Sequence, residues 1–106
     1  MIACNCVVQA GQIPAETEAV LRANISAFAE RQFGAPAEIS WLAVPERSGF
    51  TASQPSTSAI VSMRAPNPIE KADRESMLRE LCAIWTSETK CSLNEIVGVI
   101  SDPVQE

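Results

Sequence analysis

The chain has 106 residues, 46% of them hydrophobic and 20% charged, a composition suited to one soluble globular domain over residues 1–106 with a single core. A formal net charge of −5 without any basic stripe argues against phosphate-backbone binding, so no nucleic-acid partner is expected. No apolar run reaches membrane-spanning length, and Met1-Ile2-Ala3-Cys4 carries no basic leader, so no membrane partner is expected and the expected location is cytoplasmic.

Met1 to Gln9 alternates and is rich in Val, Ile and Cys, which predicts a strand. Gly11 and Pro14 end it, and Pro14 suits the first turn of a helix whose early Glu16 and Glu18 match the helix dipole. Val20, Leu21, Ile25, Phe28 and Ala29 then recur at helical spacing, with Arg31, Gly34 and Pro36 as stop signals. Glu38 to Val44 reads as a second strand, and Pro45 to Ser56, rich in Ser, Pro and Gly, as an irregular loop. A third strand follows over 57–64, a Pro-containing turn at 65–68, a helix over about 69–88, and a last strand over 95–101.

The four cysteines and the absence of histidine leave little metal chemistry. Cys4 and Cys6, two apart on a strand, point to one face, a spacing that suits neither an unstrained disulfide nor a tetrahedral site. No metal and no cofactor are expected.

Sliding the chain by 57 residues (78 − 21) lays Leu78 on Leu21, Ala72 on Ala15, Glu75 on Glu18, Arg79 on Arg22, Glu95 on Glu38 and Ile96 on Ile39. Two copies of one strand-helix-strand unit, residues 1–44 and 57–101, account for this. The fold class is therefore α/β, a two-layer tandem βαβ-βαβ with a four-stranded mixed sheet and both helices on one face. The strands are apolar on both parities, Ile39 and Trp41 on one face and Leu42 and Val44 on the other. Two helices cover one face only, so the second is expected to meet further subunits in a closed homo-oligomer.

Strand, helix, strand, loop, then the same again, with Gly34-Ala35-Pro36 after the first helix, resembles the tautomerase superfamily. The likeness is to its double-unit members, of the macrophage migration inhibitory factor, malonate semialdehyde decarboxylase and cis-3-chloroacrylic acid dehalogenase type. Ala59-Ile60-Val61-Ser62-Met63-Arg64 with its following turn, and Ser92-Leu93-Asn94-Glu95-Ile96-Val97-Gly98-Val99, carry it. The resemblance implies a homotrimer and a small carboxylated or carbonyl ligand, with isomerase or related chemistry. It also implies an N-terminal Pro as the acid-base group, where this chain has Ile2 behind Met1.

On that reading the α-amine of Met1 is the remaining candidate for proton transfer. Arg64, at the end of the third strand, matches a substrate-binding arginine and would hold a carboxylate through two parallel hydrogen bonds. Arg47 in the long loop and Ile2 at the Pro position complete the expected substrate contacts. Glu38 roughly matches an acidic residue of some members, yet its repeat partner Glu95 speaks for a structural role. Arg22 and Arg79 each follow a Glu by four residues, which predicts helix-surface pairs. Two alternatives remain open: a non-catalytic binding or scaffold trimer, and a ferredoxin-like sheet, which pairs its strands differently.

Overall fold

The computed structural model describes residues 1–45, 48–51, 54–56, 58–92 and 95–103. Its elements run β1 (Ile2–Gln9), α1 (Ala15–Phe33), β2 (Ala37–Val44), β3 (Gly49–Thr51), β4 (Gln54–Ser56), β5 (Ala59–Arg64), α2 (Lys71–Thr89) and β6 (Ile96–Ser101). The main sheet has the order β2-β1-β5-β6, with β1 and β2 parallel, β1 and β5 antiparallel, and β5 and β6 parallel. Each unit thus pairs its own two strands directly, which excludes the ferredoxin-like order. The stretch 45–56, expected to be irregular, contains the hairpin β3–β4 instead. Pro55 masked it, because a proline inside a short run argues against a strand.

Both helices form where apolar spacing and end signals agree. Pro14 immediately precedes α1 with φ −62°, Glu16 and Glu18 occupy its first turn, and Gly34 ends it at φ 77°. In α2 the corresponding left-handed position falls on Lys90, φ 63°, a conformation that costs a side-chain-bearing residue on the order of 1 kcal/mol. The helices run antiparallel: Asn24 Nδ2 donates to Glu88 at 3.5 Å, while Gln32 Nε2 and Arg31 Nη2 donate to Glu80 at 3.4 and 2.8 Å.

One core lies between the helices and one sheet face. Ile2, Cys4, Cys6 and Val8 of β1, Ala59, Val61 and Met63 of β5, and Ile96 and Ile100 of β6 meet Leu21, Ile25, Phe28, Ala29, Leu81 and Trp85. Trp85 stacks on Trp41 with ring centroids 5.8 Å apart, and the Arg22 guanidinium lies 5.5 Å over Trp41. At the far edge α2 approaches β6 closely, and Gly98 permits it: a Cβ there would meet Cys82 Sγ at 3.0 Å and Leu78 Cδ2 at 3.6 Å. Gly98→Val is accordingly expected to destabilise the protein by about 1–3 kcal/mol through overpacking. Chemical denaturation reads this directly, and an unchanged midpoint would show that α2 yields freely.

The repeat holds as architecture, but no single slide describes it. Register pairs Asn5 with Ser62 across the two units, a shift of 57 (62 − 5). The helices begin 56 apart (71 − 15), so Ile25 and Ala29 correspond to Leu81 and Trp85. In the outer strands Cys4 faces Ile39 while its counterpart Val61 faces Gly98, a shift of 59 (98 − 39). The longer α2–β6 connection, 90–95 against 34–36, produces the slip. Glu38 therefore corresponds to Val97, and Glu95 lies before β6, where its carboxylate accepts from Ser92 N at 3.2 Å and Oγ at 3.1 Å. The structural argument drawn from pairing Glu38 with Glu95 falls away.

Candidate functional site

The face of the sheet away from the helices carries a different kind of residue at each end. Register aligns Leu42, Val7, Ile60 and Val97 in one row across all four strands. Leu42 is 58% exposed, Ile60 42% and Val97 48%, an apolar band that the described residues leave open. The next row is polar: Ser40, Asn5 and Ser62, ending in Val99. One step further, Ala3 lies beside Glu38 and Arg64 beside Ser101, with Ala3 and Arg64 level by continuation of the same register.

These rows are related by the internal symmetry. The pseudo-twofold axis passes through the Asn5–Ser62 pair and carries Val7 onto Arg64, Ile60 onto Ala3, Leu42 onto Ser101, and Val97 onto Glu38. Where one row is wholly apolar, its symmetry counterpart holds a guanidinium, a carboxylate and a hydroxyl around a small alanine.

At the charged end Ala3, Asn5, Ser62, Met63, Arg64 and Ser101 line a cavity of about 200 Å³. The side chains of Asn5, Ser62, Arg64 and Ser101 make no hydrogen bond or ion pair among the described residues. Among the described residues no carboxylate lines the cavity, and its polar groups are one cation and three neutral hydrogen-bonding side chains. Glu38, on β2 beside Ala3, stands two strands from Arg64, about 10 Å between backbones.

The expected site residues separate in this frame. Arg64 lines the cavity, and Met1, 76% exposed, precedes Ala3 by two positions at the same end of β1. Ile2 is 5% exposed and faces the helices, with its N–H donating to Pro36 O at 2.9 Å, so its side chain lies on the opposite side of the sheet from Arg64. Arg47 lies outside the described residues. Arg22 pairs with Glu18 at 2.9 Å as expected, whereas Arg79 makes no such pair with Glu75 and borders a groove with Leu78, Cys82 and Thr86. Asn5, Ser62 and Ser101 were not foreseen. A polar Asn between two buried cysteines of a central strand was the available signal.

The remaining polar groups serve the fold. Cys4 and Cys6 are both buried; the hydrogen bond between their thiols, followed by burial, pushes the Cys6 thiol up, the same hydrogen bond draws the Cys4 thiol down, and packing in the core keeps both away from the open face. Asp102 accepts from Arg74 and from Ile69 N at 3.2 Å, tying the turn before α2 to the end of β6, and Arg74 holds its carboxyl below the ordinary value. Among the described residues no group of three or more His, Cys, Asp or Glu gathers to hold a metal, and no helix is long and apolar enough to cross a membrane.

No family model and no curated protein matches the chain. Solved structures do. The native protein Ps01740 superposes with a TM-score of 0.84 at 22% identity, over 98% of this chain and 99% of that one. N1, a member of the cis-3-chloroacrylic acid dehalogenase family, gives 0.83 at 10%, over 98% and 79%. A fused 4-OT, a wild-type symmetric trimer, gives 0.80 at 14%, over 95% and 85%. The chain has the tautomerase-superfamily fold. Within the tautomerase fold the two βαβ units, the parallel pairing inside each unit and the antiparallel join between β1 and β5 are all in place. The sequence identities are too low to carry an activity with the fold.

Proposed function

We propose that this protein is a divergent tautomerase-superfamily isomerase that acts on a small carboxylated keto or enol substrate at the Arg64 cavity. The observation that carries this reading is a guanidinium, Arg64, without a partner among the described residues, in a polar cavity at the N-terminal end of β1. A guanidinium fork fixes a carboxylate and leaves the adjacent carbon oriented for proton transfer. The α-amine of Met1 is the base in this reading, in place of the secondary amine that the resemblance implies. Positioned acid-base help is worth about 10²–10⁴-fold. Arg47 is a second candidate contact, and no cofactor is required.

The site belongs to a homotrimer in the same proposal. The exposed Leu42–Val7–Ile60–Val97 band favours it, as does the trimeric state of the fused 4-OT that shares the fold. A single cytoplasmic domain is the simplest setting. A second reading, a non-catalytic trimeric binding or scaffold protein, is favoured by Ile2, whose side chain is packed in the core where the resemblance implies a catalytic Pro.

Ketonisation of simple enol acids separates the two. Wild type is expected to show weak activity that Arg64→Ala lowers by about tenfold to a hundredfold, the worth of charge-assisted hydrogen bonds of roughly 1.5–3 kcal/mol. If wild type is inert while a chain rebuilt to begin with Pro in place of Ile2 gains activity, the natural chain is the scaffold.

A further inference from the structure

We propose that Asp102 and Arg74 are positioning residues for the Arg64 cavity: together they clasp the corner of the sheet on which Arg64 stands and so hold its guanidinium in place for an anion. The inference rests on the reading of Arg64 as the carboxylate anchor and adds what keeps that anchor in position.

Arg64 is the last residue of β5, and it stands where the sheet supports it least. On the β1 side the paired positions run from Val7–Ile60 to Cys4–Met63 and stop one residue short of it. On the β6 side its partner Ser101 is also the last residue of its strand. The ladder continues by one bond only, Ala65 N–H donating to Ser101 O at 2.9 Å. Strand ends of this kind open at little cost in free energy. A side chain that presents two parallel N–H groups to a carboxylate loses that alignment when its backbone opens.

Asp102 closes this corner. Its carboxylate accepts from Ile69 N–H at 3.2 Å and from Arg74 Nη2, and the same Nη2 donates to Ile69 O at 3.2 Å. Two successive residues at the end of β6, Ser101 and Asp102, thus hold residues 65 and 69, the two ends of the turn that follows Arg64. Pro66 and Pro68 fix φ at two positions between them, so the turn is stiff and transmits the restraint. An isolated surface ion pair contributes little. This one also carries both backbone groups of Ile69, so breaking it frees the turn as well as a charge. Neither Asp102 nor Arg74 lines the cavity, and both therefore act through Arg64 and Ser101, which do.

The test titrates the intact protein with propanoate and follows backbone amide shifts by NMR. Wild type is expected to bind, and Arg64→Ala to weaken binding by about tenfold or more. Asp102→Ala should weaken it about five- to tenfold through lost alignment. Arg74→Met, which keeps the apolar stem, should do the same and serves as the readout if Asp102→Ala does not fold. The double variant should lose no more than either single one, because the two residues form one clasp. Arg74→Lys restores a charged donor and should return affinity to within about threefold of wild type. Ile25→Val thins the core on α1 and leaves the clasp whole, so its thermal midpoint should fall while its affinity stays within about twofold. Wild-type affinity in both Asp102→Ala and Arg74→Met overturns the positioning role and leaves the Arg64 anchor standing. An equal loss in Ile25→Val overturns it as well, since general loosening would then account for the effect. No binding by wild type, or undiminished binding by Arg64→Ala, overturns the anchor itself and the positioning role with it.

Discussion

If the protein assembles as the proposed trimer, Ile60→Lys is expected to leave it a folded monomer. Ile60 lies at the middle of the exposed band, between Val7 on β1 and Val97 on β6, and points away from the core. Folding of the single chain therefore does not depend on it. Assembly through this face would bury it against another subunit, and an ammonium placed there meets no carboxylate in its row, which is Leu42, Val7, Ile60 and Val97. An uncompensated buried charge costs on the order of several kcal/mol even after relaxation. Association would fall by more than about a hundredfold. Light scattering coupled to size exclusion gives the mass, and far-ultraviolet circular dichroism confirms that the fold persists. An unchanged oligomer would remove the band from the interface. A wild-type monomer with an intact fold would remove the trimer.

Trp85→Ala should produce the largest loss of stability. The ring is 1% exposed, stacks on Trp41 at an interplanar angle of 21°, and belongs to the core that joins α2 to the first unit. Deleting a buried aromatic costs about 3–5 kcal/mol, through lost burial and the cavity left behind. Domains of this size hold only about 5–15 kcal/mol in total. The thermal midpoint should fall by more than about 10 °C. A smaller shift would mean that Trp41 or its neighbours collapse into the space, and a residual near-ultraviolet tryptophan signal would report that repacking.

Much of the architecture could be read from local pattern. The period of the apolar residues separated helices from strands, and Gly34, Pro36 and the Pro-rich turn at 65–68 marked their ends. The two-faced strands showed that the helices must leave one side of the sheet open, and the structure identifies it as the side on which Leu42, Ile60, Val97 and Val99 are exposed. The hairpin β3–β4 escaped because Pro55 contradicts the pattern of a strand. The left-handed cap at Lys90 escaped because nothing in a lysine announces it.

The site divides along a sharper line. Arg64 could be singled out from its place at a strand end together with the resemblance to the tautomerase superfamily, and the repeat pointed to divergence between the copies as the place to look. What the linear chain could not supply was register. Matching Glu38 with Glu95 and Ile39 with Ile96 was the natural alignment of letters, yet the six-residue connection 90–95 moves β6 by two positions relative to that alignment. A slip of two preserves the face of every side chain, so hydropathy cannot register it. Only hydrogen-bonded pairing places Arg64 level with Ser101, Asn5 opposite Ser62, and the apolar and charged rows on either side of one pseudo-twofold axis. Sequence by itself determined the units and that one apolar face of the sheet stays open, because those depend on residue spacing. Tertiary structure decided which residues of that open face stand together, because cross-strand neighbours are set by loop length and register, which span distances that local pattern does not encode.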